Sequence, residues 1–373
     1  MAHRVVLAGG GTAGHVNPLL ATAAEFVSRG FEVDVLGTAE GLESDLVPAA
    51  GFPLHTIPKV PLPRRPSPAF FTLPRRWRTA VSLCENVIRG ADCVIGFGGY
   101  VSTPAYRAAQ RSGIPVAIHE QNARPGLANR VGARSAALVA LTFAHTPLRA
   151  RRGRTTVTGL PLRAPIAALA ARRSTDEDRR AARIEAAGRL GVSPDAPTLL
   201  ITGGSLGALS LNTAASVAAA TLPEGVQVIH LTGRDKDTPV RRAVEAAGVA
   251  DRWFVVDYLT TMEDALAVAD LVICRSGAGT VAEMTALGLP CVYVPLPIGN
   301  GEQRLNAQEH VSAGGARLID DANLTPEYMT DRVFTLLGSP DLAPMAQASA
   351  ELGRVDAASV LVDAIEEILE EKQ

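Results

Sequence analysis

Residues that could do chemistry cluster in a few short stretches of this 373-residue chain. The first is Gly9-Gly10-Gly11-Thr12-Ala13-Gly14-His15, which follows the apolar run Arg4–Ala8 and opens a helical pattern. Gly9, Gly11 and Gly14 satisfy GxGxxG, and Asp34 lies about 20 residues on, as in a dinucleotide fingerprint. Glycines let backbone N–H groups approach an anion, and a helix N-terminus adds partial positive charge. A tight turn with no ligand is the competing reading. His15 sits where a catalytic or polar group would reach the ligand. That placement, and a second glycine loop further on, argue against a nicotinamide dinucleotide.

The second loop is Gly203-Gly204-Ser205-Leu206-Gly207-Ala208, again between a strand pattern and a helix pattern. Ser205 adds a hydroxyl to the backbone donors. The third is Cys274-Arg275-Ser276-Gly277-Ala278-Gly279-Thr280-Val281-Ala282-Glu283. Arg275 places a fixed positive charge at the carboxyl end of a strand, where open α/β folds bind ligands. Ser276 to Thr280 form a small-residue anion cradle. Glu283 could accept from two ribose hydroxyls or only complement the helix dipole. His119-Glu120-Gln121-Asn122 and Gly96-Phe97-Gly98-Gly99-Tyr100-Val101-Ser102 also follow apolar strands, as site loops or plain turns.

Residues 59–80 hold six basic residues (Lys59, Arg64, Arg65, Arg75, Arg76, Arg78) and no acid, with Phe70, Phe71, Leu73 and Trp77 interleaved. Cations and aromatics in that mixture suit an anionic membrane surface, at ~1 kcal/mol per basic residue as an upper bound. A solvated Pro-rich loop is the alternative.

The elements that position these stretches alternate strand, loop and helix. Strands are expected at Arg4–Ala8, Phe31–Leu36, Asp92–Gly96, Pro115–Ile118, Ala136–Leu141 and Thr155–Thr158. A linker is expected near Leu160–Pro165, then a charged helical stretch, Arg172–Leu190. The pattern restarts with strands at Thr198–Thr202, Val226–Leu231, Trp253–Val256, Leu271–Cys274 and Cys291–Val294. Helices are expected from about Val16 to Arg29, at Ala208–Ala220 and at 356–371. This grammar predicts an α/β protein with two parallel sheets, each covered by helices on both faces.

A length of 373 residues fits two domains, and 47% apolar with 20% charged residues fits a globular chain. Thirty-six basic against 38 acidic residues give a net charge of −2, which excludes a globally basic nucleic-acid binder. Four scattered cysteines (84, 93, 274, 291) fit neither a disulfide framework nor a zinc site, and suit a reducing compartment. Neither a signal peptide nor an apolar run of ~20 residues is expected, so at most the chain rests on a membrane.

Five motifs stand in the order expected of the MurG family: Gly10–His15, Gly98–Ser102, His119–Asn122, Gly203–Ala208 and Cys274–Gly277. The chain resembles these N-acetylglucosaminyltransferases (glycosyltransferase family 28), which make lipid II in bacterial cell-wall synthesis, across roughly residues 3–320. The resemblance implies a GT-B fold of two Rossmann-like doubly wound parallel-sheet domains with the active site in the cleft between them. Residues 1–162 would form the acceptor and membrane-docking domain and 163–355 the UDP-GlcNAc domain, with 356–373 returning to the first. Arg163 and Leu259 would lie beside the uracil. Ser205 and Arg275 would meet the diphosphate, with Gly279, Thr280, Val281 and Ala282 nearby. Glu283 would hold the ribose, while Ala278, Gln303 and Asn122 would contact the sugar. Thr12, Ala13 and Gly14 would complete the donor site. Gly10, Gly11, Gly99 and Tyr100 would face lipid I, and Arg64, Arg65, Phe70, Phe71, Arg75, Arg76 and Trp77 the membrane.

The implied reaction moves GlcNAc from UDP-GlcNAc to the C4 hydroxyl of N-acetylmuramic acid on lipid I, with inversion to a β-1,4 bond. His15 is the first candidate base and Glu120 the second; His15 could instead only hydrogen-bond the acceptor. No cofactor is required on this reading, no metal ligand is expected, and a divalent ion would at most stimulate. Expected partners are UDP-GlcNAc, lipid I, the anionic inner-leaflet surface and other cell-wall and division proteins, with no nucleic acid. The expected location is peripheral, on the cytoplasmic face of the cell membrane. Two positions depart from the family pattern: Ala13 stands where a glycine is usual, and Glu302 precedes Gln303 where paired glutamines are common.

Overall fold

The computed structural model describes residues 3–60, 69–204 and 206–371, with the backbone alone at 69–71. The chain divides into two compact units, Met1–Arg163 with Asp356–Gln373, and Ala164–Val355.

The first unit holds a seven-stranded sheet of β1 (Arg4–Gly9), β2 (Glu32–Gly37), β3 (Leu54–Thr56), β4 (Cys93–Gly98), β5 (Val116–Glu120), β6 (Leu138–Leu141) and β7 (Arg154–Val157). The order is β3-β2-β1-β4-β5-β6-β7, and every pairing is parallel. Its helices are α1 (Ala13–Ser28), α2 (Glu43–Ala49), α3 (Ala69–Val87), α4 (Gly99–Ser112) and α5 (Leu127–Gly132). Strand side chains alternate between two cores. Val5 and Leu7 join Leu19, Ala23 and Phe26 of α1 on one face. Val6 and Ala8 join Val101, Ala105 and Tyr106 of α4 on the other. Burial on both faces explains why these strands read as continuous apolar runs.

The helix Ala357–Glu370 completes the α1 face with Leu361, Val362, Ile365, Ile368 and Leu369. Arg29 at the end of α1 donates to Asp363 (2.5 Å) and Glu366 (2.7 Å) on that helix.

The second unit holds β8 (Thr198–Thr202), β9 (Gln227–Leu231), β10 (Trp253–Val256), β11 (Leu271–Cys274), β12 (Cys291–Tyr293) and β13 (Ala316–Leu318), in parallel order β10-β9-β8-β11-β12-β13. Its helices include α6 (Ala164–Ala171), α7 (Asp176–Leu190), α8 (Leu209–Ala218), α9 (Asp237–Ala246), α10 (Met262–Val268) and α11 (Ala278–Ala286). The charged stretch 172–190 is mostly α7. Thr175 caps it by accepting from Asp178 N, three acids fill its first turn, and Gly191 ends it at φ 69°. Its arginines reach inward: Arg183 chelates Asp270 at the start of β11 (2.8 and 3.0 Å), and Arg189 meets buried Asp264 of α10.

Among the described residues no helix is long and apolar enough to cross a membrane. The sequence reading lacked β3 and β13, both three-residue edge strands.

Candidate active site

In the first sheet the strand order reverses between β1 and β4, so the connections leaving these two neighbours diverge and open a crevice at their carboxyl ends. The loop after β1 carries Gly10 to Thr12, and β4 ends at Gly98, with Gly99 opening α4. The two loops touch. A Cβ at Gly99 would stand 2.6 Å from the Gly10 carbonyl oxygen, and Gly99 has φ 82°, so this residue must lack a side chain. Buried Ser102 ties the strand ends together, accepting from Gly98 N (2.9 Å) and donating to Ala8 O (2.9 Å).

His15 stands over this junction in the first turn of α1. Its Nδ1 lies 3.1 Å from Gly10 O and 3.1 Å from Thr12 Oγ1. A carbonyl can only accept, so Nδ1 carries the proton and Nε2 is the acceptor nitrogen. Nε2 lies against Gly98, where a Cβ would be 3.1 Å away. Burial pushes the imidazole below its ordinary pKa of 6.5, partly offset by the Gly10 carbonyl and the Glu43 charge. The site therefore presents a neutral imidazole with a fixed tautomer. Of the neighbouring candidates, Gly11, Thr12 and Gly14 are exposed, Ala13 is half-buried, and Tyr100 is exposed with the Lys59 ammonium 5.4 Å from its ring centre.

Glu120 ends β5 and is buried. Its Oε1 accepts from Asn122 N (3.0 Å), and its Oε2 accepts from Gly126 N (3.0 Å) and Asn129 Nδ2 (2.9 Å). Asn129 in turn accepts from the Tyr106 hydroxyl (2.8 Å). Burial raises the Glu120 pKa despite these donors. With both oxygens bound to its own loop, Glu120 is built to shape the Asn122 turn. His119 donates from Nε2 to Gly159 O (2.9 Å) and accepts at Nδ1 from Gln121, and burial lowers its pKa to about 4.

The second sheet reverses between β8 and β11, and the second and third loops leave those two strands. Arg275 follows β11 with its guanidinium mostly buried. It pairs with Asp321 and donates to Val294 O (3.0 Å), Pro295 O (3.2 Å) and Ser210 Oγ (3.1 Å). Asp321 thus shares the charge that was expected to meet the diphosphate. Ser276 is buried with no partner for its hydroxyl among the described residues, just before α11. Ala278, Gly279, Thr280, Val281, Ala282 and Glu283 form the first two turns of that helix, with Ala278 and Val281 buried and the other four half-buried. Gln303 accepts at Oε1 from Leu296 N (2.9 Å), which folds the 296–303 loop onto it. Leu259 is half-buried after β10, and Arg163 is the half-buried last residue before the second unit.

Ser205, Arg64 and Arg65, and the side chains of Phe70 and Phe71, lie outside the described residues. Trp77, expected at the membrane, is half-buried. With Leu73 it packs on the core of Ala80, Val81, Cys84 and Ile88, because positions 73, 77, 80, 81 and 84 share one face of α3. Arg75, Arg76 and Arg78 point outward from the same helix and are exposed.

Two features escaped the sequence. Asp34 is no ribose ligand: Arg4 (2.9 Å) and His55 (2.7 Å) both donate to it. Glu43, fully buried, takes the Gly11 N–H (2.8 Å) that a dinucleotide phosphate would need. Its only signal was an acid flanked by Gly37 and Gly41.

The comparisons with known proteins agree with this architecture. The family model for the glycosyltransferase family 28 N-terminal domain matches residues 5–141, and that for the C-terminal domain matches residues 198–361. A Bifidobacterium adolescentis protein is 49% identical over 96% of this chain and 95% of its own length. A Streptomyces coelicolor protein is 47% identical over 98% of both. Both are named as UDP-N-acetylglucosamine–N-acetylmuramyl-(pentapeptide) pyrophosphoryl-undecaprenol N-acetylglucosamine transferases. The crystal structure of Acinetobacter baumannii MurG superposes with a TM-score of 0.78 at 28% identity, covering 98% of this chain and all of that one. Two parallel-sheet units with the loops so placed, matched by both domain models, establish that the chain belongs to glycosyltransferase family 28 and has the GT-B fold.

Proposed function

We propose that this chain transfers N-acetylglucosamine from UDP-N-acetylglucosamine to the muramyl sugar of undecaprenyl-diphospho-muramoylpentapeptide, as its near-full-length relatives are named to do. The observation that carries the chemical step is His15, with Nδ1–H given to Gly10 O and Nε2 left as acceptor.

The acceptor's C4 hydroxyl gives its proton to His15 Nε2 as its oxygen attacks the anomeric carbon of the donor. The bond to UDP breaks on the opposite face, so the new linkage is β-1,4. A neutral base works best with a pKa near or below the working pH, and burial of His15 supplies that. Alignment of the two sugars is worth up to ~7–11 kcal/mol. Charge on the departing UDP is met by Arg275, Ser205 and the amides at the α11 N-terminus, a donor set that needs no resident metal, with a divalent ion at most a stimulant. Glu283 would take the ribose hydroxyls, Gln303, Asn122 and Ala278 the sugar, and Arg163 and Leu259 the uracil.

With a lipid-linked acceptor, the enzyme would work peripherally, at the cytoplasmic face of the membrane. The exposed Arg75, Arg76 and Arg78 support reversible docking on anionic headgroups.

The test is transfer of radiolabelled N-acetylglucosamine to a short-chain lipid I analogue. Wild type should form product, and His15→Ala should lose at least ~10²-fold. An intact His15→Ala enzyme would remove His15 as base. A wild type that binds the donor and never transfers would overturn the acceptor assignment.

A further inference from the structure

We infer that Glu43 is the positioning residue of this site: its carboxylate clamps the first glycine loop so that Gly10 O holds His15 in the base-competent tautomer. The inference rests on His15 being the base.

Three glycines, one from the first loop and two just before Glu43, leave room for this one carboxyl group. A Cβ at Gly10 would stand 2.3 Å from Glu43 Oε1, one at Gly41 2.1 Å from Oε2, and one at Gly37 2.7 Å from Cγ. The missing side chains form a cradle fitted to an acid. Inside it, Oε2 accepts from Gly11 N (2.8 Å), and Oε1 accepts from Thr38 N (3.0 Å) and Thr38 Oγ1 (2.7 Å). Backbone donors therefore face both oxygens. Glutamine cannot replace the acid, because its NH₂ would oppose either Gly11 N–H or Thr38 N–H. An unmade buried bond of this kind is costly. Burial works against the charge, but these donors outweigh it and hold the carboxyl below its ordinary pKa, so Glu43 is ionised.

The link to His15 is short. Gly11 N–H belongs to the peptide whose carbonyl is Gly10 O, the acceptor of His15 Nδ1–H. Fixing one end of that peptide fixes the other. A carboxylate pulling on the N–H also strengthens the carbonyl as an acceptor. Among the described residues, Glu43 is the charged group that acts on His15 electrostatically.

The experiment compares wild type with Glu43→Gln, Gly41→Ala and His15→Ala in the full chain. Gly41→Ala displaces the carboxylate by sterics and keeps its charge, so the inference stays testable if Glu43→Gln folds poorly. Readouts are kcat, the donor KM, the pH profile of kcat/KM for the acceptor, and the ¹⁵N signature of the His15 tautomer. Glu43→Gln and Gly41→Ala should each lower kcat by about 10-fold or more, since sub-ångström misplacement of a base is that costly. The donor KM should stay within about twofold. The His15 signal should turn from pure Nδ1–H to a tautomer mixture. In Glu43→Gln the acid limb should also move to lower pH, because the charge that favoured imidazolium is gone. Wild-type kcat and an unchanged His15 signal in both variants would overturn the inference, as would losses that track melting temperature and raise the donor KM equally. If His15→Ala is nearly intact, the base assignment falls and this inference with it. If His15→Ala is inactive while the other two behave as wild type, Glu43 alone is excluded.

Discussion

Gly99→Ala tests whether contact between the two first-unit loops sets the rate. Two separable effects act at this position. The residue has φ 82°, where a Cβ costs ~1–2 kcal/mol. The new methyl carbon would also stand 2.6 Å from Gly10 O, against ordinary contact beyond 3.4 Å, so the loops must part by roughly 0.8 Å. Gly10 O is the acceptor that aims His15, and a misplacement near 1 Å costs on the order of 10²-fold in rate. Gly113→Ala is the matched control. Gly113 ends α4 at φ 69° with nothing within 4 Å of its built Cβ, so it carries the backbone strain without the collision. Both variants should lose a few degrees of melting temperature, at ~2–4 °C per kcal/mol for a unit of this size. Only Gly99→Ala should lose kcat in the lipid I transfer assay. Equal kcat in the two variants would refute the claim that the Gly10–Gly99 approach positions His15.

Two further outcomes follow from packing and titration. Arg29→Ala should lower melting temperature by removing partly exposed ion pairs to the helix Ala357–Glu370, worth about 1 kcal/mol after solvent screening, with early proteolysis of that helix as the readout. His119, His230 and His310 are held neutral by burial, with pKa values lowered to about 4, 3 and 4. The unfolded chain protonates these rings near pH 6.5 and the folded chain does not. Stability is thus complete above about pH 6.5 and falls as pH drops towards 4, by up to ~1.4 kcal/mol per pH unit for each ring. Chemical denaturation at pH 7, 6 and 5 checks the slope, and a flat profile would contradict it.

Legibility differed by element for physical reasons. The central strands β1, β4, β8 and β11 bury both faces, so apolar runs such as Val5–Ala8 and Leu271–Cys274 announce them. The glycine loops were visible because close backbone approach admits few residue types. The edge strands β3 and β13 were not, since three residues carry no period and their pairing is decided by the neighbouring strand. In the site, His15 could be picked out by residue type and place. What holds it could not. Glu43 looks like an ordinary first-turn acid, and its cradle exists only once residues 10, 37 and 41 meet. Arg275 was legible as a cation, but Asp321 lies 46 residues away. The core contact of Trp77 was not legible because an aromatic among arginines suits a membrane face and an amphipathic core face equally well.

The return of the last helix onto the first unit constrains how the chain is made. Synthesis runs from the N-terminus, so Leu19, Ala23 and Phe26 are in place long before Leu361, Ile365 and Leu369 emerge to cover that face. The roughly 190 residues of Ala164–Val355 come between, which at ~5–20 residues per second is a wait of about 10–40 s. Throughout that interval the nascent chain carries a bare apolar stripe beside the loop that holds His15. The unit that carries His15 is therefore the first begun and the last finished, and a ribosome that stops short of Ala357 releases a chain whose first unit has no complete core.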